Sequence, residues 1–244
     1  MSGHSKWNNI KQRKGKSDAE RSRIFTKLGR EIMVAVKEGG PNVESNSKLK
    51  MAIAKARQFN MPNDRINGVI KKNSEVDNSN YVEQVYEGYG IGGVAVVVKC
   101  FTDNKNRTSS DVRYAFDKYG GSLGSTGCVS YMFDNKGVVV VEKTDSFDSD
   151  KAMELALNLD VIDCEDDEVF TIYTEANAAT VNDVVSAFEN DGYTILSSGV
   201  EMIPQNYTAL NEKQLESFNK MLDKLNDSDD VVDVIHNLEE QDEQ

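Results

Sequence analysis

The chain has 244 residues, with 28 Lys or Arg against 41 Asp or Glu, and a formal charge of −13. That length suits roughly one to three domains of about 100 to 200 residues. Its longest aliphatic stretches are short ones such as Val94 to Val98, far below the roughly 18 residues of a membrane span, which excludes an integral helical membrane protein. Three cysteines (Cys100, Cys128, Cys164) without C-x-x-C spacing, beside two histidines, exclude a disulfide framework and a Cys/His zinc site. The charged opening residues lead into no apolar region, so no secretory signal and a cytoplasmic location are expected.

The acidic total conceals a division. Residues 1–75 hold 17 Lys/Arg and 7 Asp/Glu, a balance of +10, whereas residues 76–244 hold 11 and 34, a balance of −23. Such asymmetry points to contact between the basic part and a polyanion.

Residues 2–17 have no apolar periodicity. Trp7 and Ile10 are the only large apolar side chains among Lys6, Lys11, Arg13, Lys14 and Lys16, too few to fold alone, so residues 1–17 read as a flexible basic arm. From Asp18 the pattern is helical: Phe25, Leu28, Ile32 and Val36 recur at steps of 3, 4 and 4 before the stop at Gly39-Gly40-Pro41. At 100° per residue Arg23, Lys27, Arg30 and Lys37 share an arc of about 80° opposite that stripe. A second helix is predicted over about 47–59, with Leu49, Ile53, Ala56 and Phe59 on one side. A third begins at Pro62, which the first helical turn tolerates, with Ile66, Val69 and Ile70 inward. These three make a small bundle within residues 18–78.

Beyond a polar linker, Asn73 to Asn80, the period changes. Strands are predicted at 81–87 and 94–101, a helix at 107–119, a flexible loop at 120–127, and strands at 129–133 and 137–142. Then follow a helix (149–158), two strands (160–164, 168–173), a helix (177–190), a strand (193–202), a helix (211–225) and a strand (231–235). The fold class is multidomain α+β: the three-helix domain, then two ferredoxin-like α/β domains. Residues 136–205 contain an uninterrupted β-α-β-β-α-β unit, and 79–135 with 206–238 could complete each other around it. The second α/β domain is then an insertion at a surface turn of the first; two consecutive domains are the rival arrangement. Residues 239–244 form an acidic tail.

Several motifs have plain readings. Gly88, Gly90 and Gly93 satisfy G-x-G-x-x-G, but they lead into a strand, where the dinucleotide fingerprint must open a helix, so a turn with positive φ is expected. Gly120 to Gly127 lacks the Lys-Ser/Thr pair of a phosphate loop. The acidic residues Asp163, Glu165, Asp166, Asp167 and Glu168, and Asp227, Asp229 and Asp230, lack calcium-loop spacing. Cys100 and Cys128 have no adjacent histidine in sequence, and buried inert thiols are expected. No cofactor or metal is expected. Asn104, Arg107, Thr108 and Arg113, around a helix start, form a second candidate anion site, the basis of a minor reading as an enzyme with a phosphate-binding cleft.

Gly3-His4-Ser5-Lys6-Trp7, Asn9-Ile10-Lys11 with Arg13-Lys14, and Ile24-Phe25-Thr26-Lys27-Leu28 with Arg30-Glu31-Ile32 resemble the opening of the YebC family. Asn60-Met61-Pro62, Tyr86-Glu87-Gly88-Tyr89-Gly90, Thr102-Asp103-Asn104, Asp111-Val112-Arg113 and Ile203-Pro204-Gln205-Asn206 continue the likeness over nearly the whole chain. The resemblance implies a helical domain followed by two α/β domains, with no catalytic centre. It also implies a cytoplasmic DNA-binding transcriptional regulator or, as the alternative within the family, a translation factor acting at the ribosome. The expectation is a non-enzymatic regulator that docks Lys6, Trp7, Lys11, Arg13, Lys14, Lys16, Arg21, Arg23, Lys27 and Arg30 on duplex DNA or ribosomal RNA. The cations would neutralise phosphates and Trp7 would stack on a base.

Overall fold

The computed structural model describes residues 18–75 and 80–239. The arm residues Lys6, Trp7, Lys11, Arg13, Lys14 and Lys16, linker positions 76–79 and tail positions 240–244 lie outside them. The described residues form two compact units, one holding the helical segment with residues 135–201, the other residues 80–134 with 202–239.

In the first unit, α1 (Asp18–Gly39), α2 (Ser47–Gln58) and α3 (Asn63–Glu75) form the bundle. The stripe read from the sequence is its core: Leu28, Ile32, Val36, Leu49, Ile53, Ala56 and Ile66 are buried, with Phe25, Phe59, Val69 and Ile70 half-buried against them. Helix α3 continues through Asn73 to Glu75, positions the sequence reading gave to the linker; the Asn73 side chain donates to the Val69 carbonyl one turn back, at 2.6 Å.

Asn46 joins the first two helices. Its Oδ1 accepts from the Leu49 N–H at 3.0 Å, capping α2, while its Nδ2 donates to the Ala35 and Gly40 carbonyls at 2.7 and 2.8 Å at the end of α1. Three backbone groups around the two helix ends are thus bonded by one buried amide. Asn46→Ala is expected to cost about 2 kcal/mol in urea unfolding, since it removes a cap and strands two carbonyls. Asn46→Asp keeps the cap but turns an anion toward those carbonyls, and should not recover the loss.

The rest of this unit is an antiparallel sheet with two helices: β4 (Phe133–Val141), α5 (Ser149–Leu157), β5 (Val161–Asp166), β6 (Phe170–Thr174), α6 (Ala178–Asn190) and β7 (Ile195–Pro204), in strand order β5-β6-β4-β7. This is the ferredoxin-like order, with the β5-β6 hairpin at one edge. Phe147, Phe170, Phe188 and Tyr193 cluster in its core with ring centroids 5.3 to 6.4 Å apart. The bundle packs on this layer through α2: Met51 joins its core, and the Asn182 side chain donates to the Ser47 carbonyl at 3.1 Å.

The second unit holds β1 (Val82–Tyr89), β2 (Ala95–Thr102), α4 (Lys105–Lys118), β3 (Ser122–Leu123), α7 (Glu212–Asn226) and β8 (Val231–His236), in the order β3-β1-β2-β8. It too is four strands with two helices, but its β1-β2 hairpin is central. The uninterrupted Val94 to Val98 run follows from that position. Val96, Val98 and Cys100 pack with α4 and α7 residues on one face, and Ala95 and Val97 with Val129, Phe133 and Met202 on the other. A strand buried on both faces has no polar alternation. The hairpin turn uses Gly92 and Gly93, at φ 71° and 84°.

Two readings need correction here. The segment 120–127 is tied down: β3 pairs with Gly88 and Tyr89, the Gly121 N–H donates to the Phe116 carbonyl, and the Gly124 N–H to the Glu87 carbonyl. The strand expected at 129–133 is a 3-10 turn over Ser130–Met132, with β4 starting at Phe133. Its cause is Glu87, whose buried carboxylate accepts from the N–H groups of Gly127, Val129 and Ser130 at 2.8, 3.1 and 2.9 Å. Those donors are therefore withdrawn from any strand ladder.

Candidate nucleic-acid interface

Residues 18–75 carry 12 Lys/Arg and 7 Asp/Glu, and the bundle's packing decides where those charges stand. The core stripe of α1 fixes the helix rotation, so Arg23, Lys27, Arg30 and Lys37 share one arc away from Leu28, Ile32 and Val36; Arg23 and Lys37 are exposed, Lys27 and Arg30 half-buried. Part of the charge is internally compensated, for Glu31 pairs with Lys55 at 2.7 Å and Glu38 with Lys48 at 2.5 Å. The exposed cations Lys50, Lys71 and Lys72 add to the domain's positive field.

Arg21 stands apart from that arc. Two residues before Arg23, it falls about 160° round the helix, on the side of Phe25. There it lines a groove of about 510 Å³ together with Ser22, Phe25, Phe59, Asn60 and Arg65. The groove lies where the start of α1 meets the α2–α3 junction. The junction is shaped by Asn60, which has φ 57°, the one positive value at a non-glycine among the described residues; asparagine tolerates this left-handed conformation better than most residues. Its turn lets the Met61 N–H reach the Ala56 carbonyl at 3.0 Å and buries Met61 in the core. Opposite, the Arg65 guanidinium lies over the Phe25 ring, 5.2 Å from its centroid. The sequence reading gave Phe59 to the inward side of the second helix and Asn60 to a family motif, named neither as a site residue, and passed over Arg65. Their available signal was an aromatic-asparagine pair at a helix break, followed by an arginine in the next helix's first turn.

The second candidate site has a different character. Asn104 caps α4, its Oδ1 accepting from the Arg107 N–H at 3.1 Å. The position where an anion would sit holds the protein's own Asp230 carboxylate. Arg107 donates to it through Nη2 at 2.7 Å and Nε at 3.1 Å, and the Thr108 and Thr102 hydroxyls at 2.9 and 3.2 Å. These bonds, with Asp103 adding to them, hold the Arg107 guanidinium above its ordinary pKa. Asp230 is buried and Thr108 wholly so. Arg113 lies six residues on, about 120° round the helix from Arg107, and is exposed. The group is an internal ion-pair network, with the demand for an anion met from within.

The remaining reactive groups are quiet. Burial, with Asp163 beside it, pushes the Cys164 thiol up to about 11, and burial followed by Glu87 raises that of Cys128, so neither is a thiolate nucleophile near neutrality. His236 is neutral, lowered to about 4 by burial, with its ring edge-on to Phe218 at 5.2 Å. In the acidic turn Lys143 binds Asp166 at 2.6 Å and the Asp167 carbonyl at 2.9 Å, and Tyr173 donates to Glu165 at 3.0 Å. Among the described residues no helix is long and apolar enough to cross a membrane.

Two family models match the chain: the TACO1/YebC protein N-terminal domain over residues 5–76, and the TACO1/YebC second and third domain over residues 81–238. A probable transcriptional regulatory protein of Acetivibrio thermocellus is 52% identical over 240 residues, covering 97% of this chain and 98% of that protein. One from Clostridium acetobutylicum is 50% identical over 240 residues, covering 98% and 97%. The crystal structure of a conserved hypothetical protein from Aquifex aeolicus superposes with a TM-score of 0.79 at 38% identity, covering 94% of this chain and 95% of that one. With both models and relatives of this closeness spanning its length, the chain belongs to the TACO1/YebC family.

Proposed function

We propose that the protein is a regulator of transcription that binds duplex DNA through its basic N-terminal quarter and has no catalytic role. The observation that carries this reading is the charge division, +10 over residues 1–75 against −23 over the remainder. The acidic body is repelled by a polyanion while the basic segment is attracted, which orients the molecule at encounter. Arm cations Lys6, Lys11, Arg13, Lys14 and Lys16 neutralise phosphates; Arg23, Lys27 and Arg30 extend the contact along α1. Phosphate contacts fix position and affinity, with little base readout. The names of the relatives support the regulatory part of the reading. The protein acts in the cytoplasm, where it requires no cofactor.

Counterion release supplies the test. If about six phosphates are contacted, log K falls against log salt with a slope near −5. Fluorescence anisotropy of a labelled duplex over a salt series reads that slope, and a flat response would discard the reading. A promoter duplex bound no more tightly than a scrambled one, in competition, would remove the transcriptional part.

A further inference from the structure

We propose that the groove formed by Arg21, Ser22, Phe25, Phe59, Asn60 and Arg65 is a seat for one unpaired nucleotide. The inference rests on the nucleic-acid reading above and deepens it by naming what the helical domain grips. Its size, about 510 Å³, falls in the range of small-ligand sites, about 300 to 1,000 Å³, whereas neutralising a duplex backbone requires a charged surface and no recess.

The wall chemistry identifies the occupant. Phe25 and Phe59 are half-buried, each packed against the bundle core, and the Arg65 guanidinium lies over the Phe25 ring, so the surface presented to a base is that guanidinium plane beside Phe59, with little conformational freedom to lose. A base stacks on such a surface whatever its identity, because every base has a π-face. Inside a duplex those faces are covered by neighbouring pairs; only an unpaired base offers one. Arg21 and Arg65 flank the aromatic surface with exposed cationic heads. Arg65 is held in place by the Phe25 ring and has no carboxylate partner among the described residues, in contrast to Arg107, which Asp230 engages. A guanidinium stacked on an aromatic ring keeps its in-plane N–H donors for phosphate. The exposed Asn60, with an amide that both donates and accepts, adds a group able to meet a base edge.

The pieces come from three places, one turn of α1, the end of α2 and the first turn of α3, and the left-handed Asn60 turn brings the latter two round to the first. A solvated charged face gathers no aromatic rings, and a hydrophobic core gathers no arginines. Two of each around one recess match the pairing of stacking surface and phosphate ligand that single-strand binders use.

The test uses the full chain and oligonucleotides of one sequence carrying 2-aminopurine centrally, as single-stranded DNA, single-stranded RNA and duplex DNA. We expect either single strand to bind about 10-fold tighter than the duplex at matched salt, with the probe's fluorescence changed by stacking; the better of the DNA and RNA arms identifies the source of the nucleotide. Arg65→Gln, at an exposed position, should weaken single-strand binding about 5- to 10-fold and leave duplex binding unchanged. Phe59→Leu, which keeps the apolar filling, should abolish the fluorescence change and keep the salt slope. Equal affinity for duplex and single strands, with both variants like the parent, would overturn the nucleotide seat while the salt-dependent grip stands. Absence of salt-dependent binding to any of the three would remove both.

Discussion

Replacing Lys11, Arg13, Lys14 and Arg23 together by glutamate is expected to lower duplex affinity by more than about 100-fold at about 50 mM salt and to flatten the salt slope from near −5 to about −2. Each phosphate contact adds close to one unit to the slope, so removing three or four of about six leaves the remaining α1 and arm cations with two or three. Reversal removes four positive charges and adds four negative ones, taking the balance of residues 1–75 from +10 to +2, so encounter slows as well. Arg23 is exposed on the arc of α1 opposite its core stripe, so its reversal keeps the apolar packing of α1. The measurement pairs anisotropy over a salt series with a thermal melt. A variant that melts like the parent and binds like the parent would show that the basic quarter is not the grip, and the functional reading would fall with it.

The fold was legible where one element's own period carries the information. The α1 stripe of Leu28, Ile32 and Val36 is visible because the helix repeats every 3.6 residues and its buried face must be apolar; the basic arc is the complement of that stripe. The Val94 to Val98 run announced a strand; its coverage on both faces came from the packing. What stayed hidden were meetings between distant residues. Asp230 lies 123 positions from Arg107, so an arginine and a helix start looked like an open anion site when the anion was supplied by the far end of the chain. In the same way Arg21 was grouped with the other cations by charge, and its angle sets it on the opposite side. Its neighbours Phe59, Asn60 and Arg65 read separately as a helix end, a turn and a first-turn residue. Only the bundle's packing makes a groove of them. The tied-down segment 120–127 shows the same limit: its glycines suggest freedom, and the group that removes it, Glu87, stands on another strand.

That carboxylate gives the second large effect. Glu87 is 4% exposed and accepts from the Gly127, Val129 and Ser130 N–H groups while its own carbonyl accepts from the Gly124 N–H at 2.8 Å. Burial by itself would raise its pKa; the three N–H donors, with the Ser130 side chain adding to them, outweigh burial and hold it below the ordinary value. Glu87→Gln replaces one acceptor oxygen by an NH₂ facing backbone donors, so at least one N–H is stranded and a donor opposes a donor. Hydrogen bonds to a charged acceptor contribute about 1.5 to 3 kcal/mol each, and the expected loss is about 2 to 4 kcal/mol near neutral pH. The sign of the pH dependence separates this cause from simple misfit. A depressed folded pKa means a contribution fully present above the unfolded value of about 4.3 and lost as pH falls through the folded value. The difference between parent and variant in urea unfolding should therefore be largest at neutral pH and shrink as the pH drops below about 4, because the parent's carboxyl then protonates and the glutamine has nothing to lose. A gap that stays constant from neutral to acid would mean that the charge on Glu87 is irrelevant to holding the 124–130 segment. A narrowing gap, with hydrogen exchange in the variant accelerated first at Gly127, Val129 and Ser130, would place the charge-assisted bonds themselves at the origin of the loop's order.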